Sequence, residues 1–506
     1  MAAPRLSLAA CALALGLAAP ALAQAADCGD LKGLKLKDVE ITAATAVAPA
    51  PTWSPPQQRS YNAVVSTPFC RVEGTIEGGI GFELWLPAPD RWTGRFLGAG
   101  VGGDAGIYNY SDLARGVERG YAAATTDSGH KITEPHWMLD PVKVENYAHR
   151  AEHLMTVTGK AIAAAYYGKP TAHAYFIGCS GGGRQALKEL QSYPDDYDGI
   201  VAGAPGPYMM IQSARFMAIA VEEMRRPTAA LTDADWDLVT TRAVSDCDAR
   251  DGVVDGVVEQ PLTCRFDLDA LTCGKLAGRC LTPAQIAMVR WIYAPLKDRA
   301  GRDLDSGLVP GVRTRPGPPS PLLRAMFADG AHRDVDWDAM TFDVTRDLDL
   351  VRQTMPTLAA DQTDLTGFKA RGGKFILYQG WMDPSIGARQ SLDYYGRVRA
   401  RMGAKAADSF TRLFLAPGVL HCGGGAGPDL FGGSGRPAPI DDPDHDLLAA
   451  IVAWVEQDRA PERIVASKVV GEKVVRTRPL CAWPRVARYK GTGGADEAAN
   501  FTCAKA

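Results

Sequence analysis

The spacing of apolar positions divides the chain into stretches of different texture. Residues 26–94 carry short apolar runs punctuated by Pro and Gly, such as Gly81-Phe82-Glu83-Leu84-Trp85-Leu86-Pro87. Their alternation predicts antiparallel strands. From about residue 95 the pattern becomes buried strand, glycine turn, helix. Arg95-Phe96-Leu97-Gly98 reads as a strand entering the glycine loop Gly100-Val101-Gly102-Gly103, and Tyr121–Thr126 as a second buried strand. A helical pattern over residues 144–167 stops at Gly168 and Pro170. The apolar run Ala172–Ile177 follows, then Gly178-Cys179-Ser180-Gly181-Gly182-Gly183, then a helix from Arg184 to Gln191. Strand, tight turn and helix in repetition predict an α/β fold with a parallel sheet.

This rhythm is lost over residues 206–350, which hold four cysteines, many Asp-Gly turns and the Pro-rich segment Pro310–Pro321. They read as an inserted domain. The α/β texture returns with a strand at Lys374–Tyr378, a helix at Ala388–Arg401, a strand at Thr411–Leu415 and an amphipathic helix at Leu447–Glu456. The expected organisation is therefore a catalytic domain of residues 26–205 and 351–506, interrupted by residues 206–350.

Residues 1–25 stand apart. Arg5 is their only charge, Leu8–Pro20 is apolar, and Ala21-Leu22-Ala23 and Ala23-Gln24-Ala25 offer small-x-small cleavage sites. A membrane helix needs about 20 apolar residues, more than this run supplies. The reading is a cleaved signal peptide and a secreted or periplasmic protein. Composition agrees with a soluble globular chain, 46% hydrophobic and 22% charged with a net charge of −3. No basic surplus points to nucleic acid or to an anionic membrane. Of eleven cysteines, Cys11 leaves with the leader and an even set remains, which in an exported chain implies disulfides. Without a Cys-x-x-Cys pair, zinc is disfavoured.

Gly178-x-Ser180-x-Gly182 fits a nucleophile elbow, where a strained strand-to-helix turn leaves no room for side chains two residues either side of the serine. Alone the pattern is weak, because glycine turns are common. Two features strengthen it. The strand Lys374–Tyr378 runs into Gln379-Gly380-Trp381-Met382-Asp383, and the strand Thr411–Leu415 runs through Ala416-Pro417-Gly418 to His421. An acid and a histidine past successive strand ends, in the order Ser, Asp, His, match an α/β-hydrolase triad. Ser180 would be the nucleophile, His421 its base, and Asp383 the group that orients the imidazole. The oxyanion needs two donors: the Gly181 N–H and one from the glycine loop, at Gly102 or Gly103. Cys179 precedes Ser180 and Cys422 follows His421. If they pair, the bond ties nucleophile turn to base loop.

This combination resembles the tannase and feruloyl esterase family, which also contains mono(2-hydroxyethyl) terephthalate hydrolase. Cys179-Ser180-Gly181-Gly182-Gly183-Arg184, Gly380-Trp381-Met382-Asp383 and His421-Cys422 match its motifs, and Gly100–Gly106 is similar to its glycine loop, with Asp104 where an aromatic residue often stands. The resemblance implies an α/β-hydrolase fold with an inserted lid, and disulfides Cys28–Cys70, Cys179–Cys422, Cys247–Cys264, Cys273–Cys280 and Cys481–Cys503. It also implies a structural Ca²⁺ in the lid, held by Asp248, Asp251 and Asp255 with the carbonyls of Val253 and Val257. Spacing alone would leave these as solvated Asp-Gly turns, although tight turns can converge the six to eight oxygens that Ca²⁺ takes. The function so implied is hydrolysis of esters of aromatic acids (feruloyl, hydroxycinnamoyl or galloyl) through an acyl-enzyme. The partner is a small aromatic ester, and lid aromatics and Met, with Trp381, Ser385 and Ile386, are candidates to line its pocket. The alternatives are a hydrolase of terephthalate monoesters and a catalytically silent binding module. Oligomeric state is left open.

Overall fold

The structure, a computed structural model, describes residues 27–55, 63–276, 278–314 and 317–505. The expected leader, residues 1–25, lies outside them. Nine strands build the main sheet: β1 (Val39–Val47), β2 (Phe69–Ile76), β3 (Ile80–Pro87), β4 (Arg95–Ala99), β5 (Tyr121–Thr126), β6 (His173–Cys179), β7 (Gly199–Gly203), β8 (Lys374–Gly380) and β9 (Thr411–Ala416). Their spatial order is β1-β2-β3-β5-β4-β6-β7-β8-β9. The pairs from β1 to β5 are antiparallel, and those from β5 through β9 are parallel. Helices α1 (Tyr110–Glu118), α2 (Ala151–Tyr167), α3 (Gly181–Ser192), α4 (Met209–Arg225), α5 (Asp233–Cys247), α6 (Pro283–Tyr293), α7 (Val344–Thr354), α8 (Ala388–Met402) and α9 (Leu447–Gln457) complete the frame. This is the α/β-hydrolase fold expected from the sequence.

The local signals act where they were read. Helix α2 ends at Gly168 in the left-handed region, φ 69°, a conformation that costs glycine little. Helix α6 begins with a capping box of Thr282 and Gln285, with Pro283 in its first turn. Strand β3 differs from its alternating pattern, because every one of its positions is buried. Glu83 is buried in its middle and accepts from Arg71 Nε at 3.0 Å, Arg71 Nη2 at 2.7 Å, Trp85 Nε1 at 3.0 Å and Tyr110 Oη at 2.7 Å. A buried carboxylate persists when it is paired and hydrogen-bonded.

Strand β7, Gly-Ile-Val-Ala-Gly, carries little β signal, for a packing reason. A Cβ on Gly203 would lie 2.0 Å from the Tyr378 ring, so the position excludes β-branched residues. The chain leaves the sheet after Gly203 and rejoins it at Lys374. Between them Met217, Val221, Phe327, Leu348, Val351 and Leu358 form a separate core that also packs on Val101 and Tyr147. The insertion therefore rests directly on the glycine loop. After α9, two antiparallel hairpins, Arg463–Val470 with Lys473–Cys481 and Arg485–Tyr489 with Phe501–Lys505, close the chain.

All five disulfides implied by the resemblance are formed. Among the described residues, no helix is long and apolar enough to cross a membrane.

Candidate active site

Strand β6 delivers Ser180 into a turn with φ 63° and ψ −123°, a strained conformation for a residue with a Cβ. Close approach explains the flanking glycines. A Cβ on Gly178 would stand 2.4 Å from the Gly182 carbonyl oxygen, and one on Gly182 would stand 2.8 Å from the Gly100 carbonyl carbon. The Ser180 N–H donates to Gly203 O at 2.9 Å, so the turn is anchored to β7. Helix α3 starts at once, leaving Ser180 at its N-terminus.

The loops after β8 and β9 bring the other two residues to the serine. Strand β8 ends in a turn in which the Trp381 and Met382 N–H groups donate to Ala416 O and Val419 O, both at 3.0 Å. This turn carries Asp383, fully buried. Its Oδ1 accepts the Ser385 and Ile386 N–H groups, each at 2.8 Å, and its Oδ2 accepts Gln379 Nε2 at 3.0 Å. Oδ2 also lies 2.8 Å from His421 Nδ1, and His421 Nε2 lies 2.8 Å from Ser180 Oγ. Ser180, His421 and Asp383 thus form one continuous hydrogen-bonded chain. Such a chain can carry a hydroxyl proton to the imidazole while the carboxylate orients the ring.

Gln379 was not singled out in the sequence, although a polar residue ending the run Phe375-Ile376-Leu377-Tyr378 was the available signal. Its Oε1 accepts from Ser391 Oγ at 2.8 Å, so its amide is held from both ends. Arg184, the last residue of the serine motif, is tied to the main chain of another segment. It donates to the Ala148 and Tyr147 carbonyls, each at 2.8 Å, and lies over the Tyr147 ring.

The glycine loop covers the turn. Gly102 lies over Ser180, and the carbonyls of Val101 and Gly103 stand so close to Gly181 that a Cβ there would meet them at 2.9 and 2.7 Å. Tyr147 Oη donates to Gly103 O at 3.1 Å. Gly103, Ser180, Gly181 and His421 border a cavity of about 530 Å³, within the range of small-molecule sites. Its wall includes Met209, Phe216 and Ile219 of α4, Pro318 and Leu323 of the insertion, and Ile386. The wall is thus more aliphatic than the sequence suggested. Ser385 and Ile386 line it as expected, whereas Trp381 is packed in the main core.

The Asp-Gly turns of the insertion form as read, with Gly252 and Gly256 at φ 99° and 81°. Asp248 accepts the N–H groups of Asp255 and Gly256, Asp251 that of Val253, and Asp255 that of Val257. Asp255 is also paired with Arg478 of the C-terminal hairpin. Among the described residues, no three metal-ligating side chains converge. The donor set nonetheless suits a hard cation in kind, since it is made of carboxylates, and the buried Asp251 Oδ2 has no hydrogen-bond partner among the described residues, Arg478 Nη1 standing 3.8 Å away.

The model of the family described as "Tannase and feruloyl esterase" matches residues 62–315 and 319–504. The chain belongs to this family. It is 35% identical to an uncharacterized esterase of Xanthomonas campestris, over 97% of this chain and 93% of that protein. It is 33% identical to the "Probable feruloyl esterase B-2" of Aspergillus flavus, over 81% of this chain and 82% of that one. The crystal structure of feruloyl esterase B from Aspergillus oryzae superposes with a TM-score of 0.87 at 28% identity, covering 93% of this chain and 98% of that chain. The chain is an esterase of the tannase and feruloyl esterase type.

Proposed function

We propose that this chain is an exported serine hydrolase of carboxylic esters of aromatic acids, feruloyl, related hydroxycinnamoyl or galloyl. The observation that carries the reading is the hydrogen-bonded chain Ser180–His421–Asp383 at the border of a largely apolar cavity. His421 Nε2 takes the Ser180 proton as Oγ attacks the ester carbonyl, and Asp383 stabilises the resulting imidazolium. The Gly181 N–H and a glycine-loop N–H, from Gly102 or Gly103, receive the oxyanion. The C–O bond to the alcohol breaks and His421 returns the proton to the leaving oxygen. Water, deprotonated by the same imidazole, then attacks the acyl-enzyme and releases the acid.

The insertion acts as a lid, since it supplies much of the cavity wall. Asp248, Asp251 and Asp255 with the Val253 and Val257 carbonyls would hold Ca²⁺ there, with a role in folding the loop and none in the reaction. Five disulfides and the leader of residues 1–25 support export to an oxidising compartment.

A terephthalate monoester would bring its free carboxylate into the cavity. Arg184, a cation along the described wall, already gives both Nη groups to main-chain carbonyls, which favours uncharged aromatic acids. A silent binding module would have no use for the complete triad geometry. The deciding experiment compares wild type with Ser180→Ala on methyl ferulate, methyl gallate, chlorogenic acid and the terephthalate monoester. Turnover retained by Ser180→Ala would refute the serine mechanism, and the wild-type preference names the acid.

A further inference from the structure

Four of the glycine-loop amides are already committed. Gly100 N–H donates to Ile177 O at 2.9 Å, Ala105 N–H to Gly102 O at 3.2 Å and Gly106 N–H to Asp127 O at 3.1 Å. The fourth, Val101 N–H, donates to a side chain, Gln185 Oε1, at 2.8 Å. The N–H groups of Gly102 and Gly103 make no hydrogen bond among the described residues, and Gly103 N stands 3.1 Å from where a Gly181 Cβ would be. Asp104 N–H is likewise unbonded among the described residues. The loop therefore offers free donors at Gly102 and Gly103 beside Gly181, and one side chain grips the residue before them.

We propose that Gln185 is the positioning residue that sets the second half of the oxyanion hole, by fixing the glycine loop to the helix that begins at Ser180. The inference rests on the hydrolase reading above. Gln185 sits on α3 in the turn after Ser180 and is buried. Its amide is held in one orientation: Nε2 donates to Ser128 Oγ at 3.0 Å, and Ser128 Oγ donates to Glu152 Oε1 at 3.3 Å. A flipped amide would face the Val101 N–H with its own N–H. Nucleophile, helix-start donor and loop donors thus share one rigid frame. An oxyanion donor acts only when it is preorganised at the position the charge will occupy.

The test measures kcat and KM on an aryl ester, and affinity for phenylboronic acid as a tetrahedral mimic, in Gln185→Leu and Gln185→Glu. Leucine removes the acceptor for Val101, and glutamate keeps it. Gln185→Leu should lose about 10- to 100-fold in kcat with KM within about twofold, since removing one oxyanion donor costs about 10²- to 10³-fold. Boronic acid affinity should fall in parallel, and Gln185→Glu should recover most of both. A folded Gln185→Leu with unchanged kcat, or one whose loss lies in KM alone, would overturn the proposal. If Gln185→Leu does not fold, Ser128→Ala frees the far end of the amide. It should then lower kcat several-fold at constant KM, and an unchanged kcat again overturns the proposal. Turnover that survives Ser180→Ala would instead refute the hydrolase reading itself, which separates the two failures.

Discussion

Cys179 is bonded to Cys422 across 243 residues of sequence, and the two half-cystines directly neighbour Ser180 and His421. The bond joins the strained serine turn to a loop in which Cys422 itself has φ 59°. It therefore restrains the Ser180–His421 distance, on which proton transfer would depend in the proposed mechanism. Replacing both cysteines by serine should lower kcat at least tenfold with KM little changed, because displacements near 1 Å cost about 10²-fold. The same change should cost about 2–5 kcal/mol of stability. Kinetics and thermal melts of the double variant, set against the reduced wild type, check both.

Asp383 is held by two backbone N–H groups on Oδ1 and by Gln379 on Oδ2. In Asp383→Asn the amide oxygen would stay on the Ser385 and Ile386 N–H groups, which turns the NH₂ toward His421 Nδ1 and imposes the wrong tautomer. We expect kcat to fall by about 10³ to 10⁴, as the equivalent change does in a protease triad, and the melting temperature to fall modestly, because the new NH₂ also faces the Gln379 Nε2 donor. A loss under tenfold would mean that the carboxylate does not orient the imidazole.

Glu152 is buried behind Ser128. Burial pushes its carboxyl up to about 8, and the Ser128 hydrogen bond and the Arg184 charge only partly oppose that. The folded protein thus keeps a proton that the unfolded chain releases near pH 4.5. By linkage, stability from this group is fully present below pH 4.5 and declines as pH rises toward 8. Glu152→Gln should therefore gain in melting temperature relative to wild type, and the gain should be larger at pH 8 than at pH 5. A pH-independent difference would show that Glu152 does not titrate as described.

If Ca²⁺ occupies the Asp248–Val257 loop, chelation should lower the melting temperature by several degrees, and added Ca²⁺ should restore it. A ligand present at about 100 times its Kd contributes about 2.7 kcal/mol. Asp251→Asn should remove most of that response. Melting curves indifferent to chelator, together with metal analysis finding no calcium, would leave the loop as hydrogen-bonded Asp-Gly turns clasped by Arg478.

The glycine pair around Ser180, the placement of Asp383 and His421 past strand ends, and the cysteines beside two of them were all legible in the sequence. They were legible because each is a local requirement: a turn that excludes side chains, a strand that ends, a residue at a fixed offset from it. The strand β7 was not, because its glycines answer the bulk of Tyr378 and Ile451 from distant elements, and packing overrode β propensity. Gln379 and Gln185 were not, because their partners lie on other turns, helices and loops.

By itself, then, the sequence determined the identity and order of the three candidate catalytic residues, the α/β alternation, and the motifs by which the family is known. Only the tertiary structure decided which amides of the glycine loop are free, which side chains hold Asp383 and Val101, and that an aliphatic wall from the insertion faces Ser180. The physical reason is range. Turn and strand chemistry is specified within a few residues, whereas a hydrogen bond such as Val101 to Gln185, 84 residues apart, exists only after the sheet has brought its strand ends together.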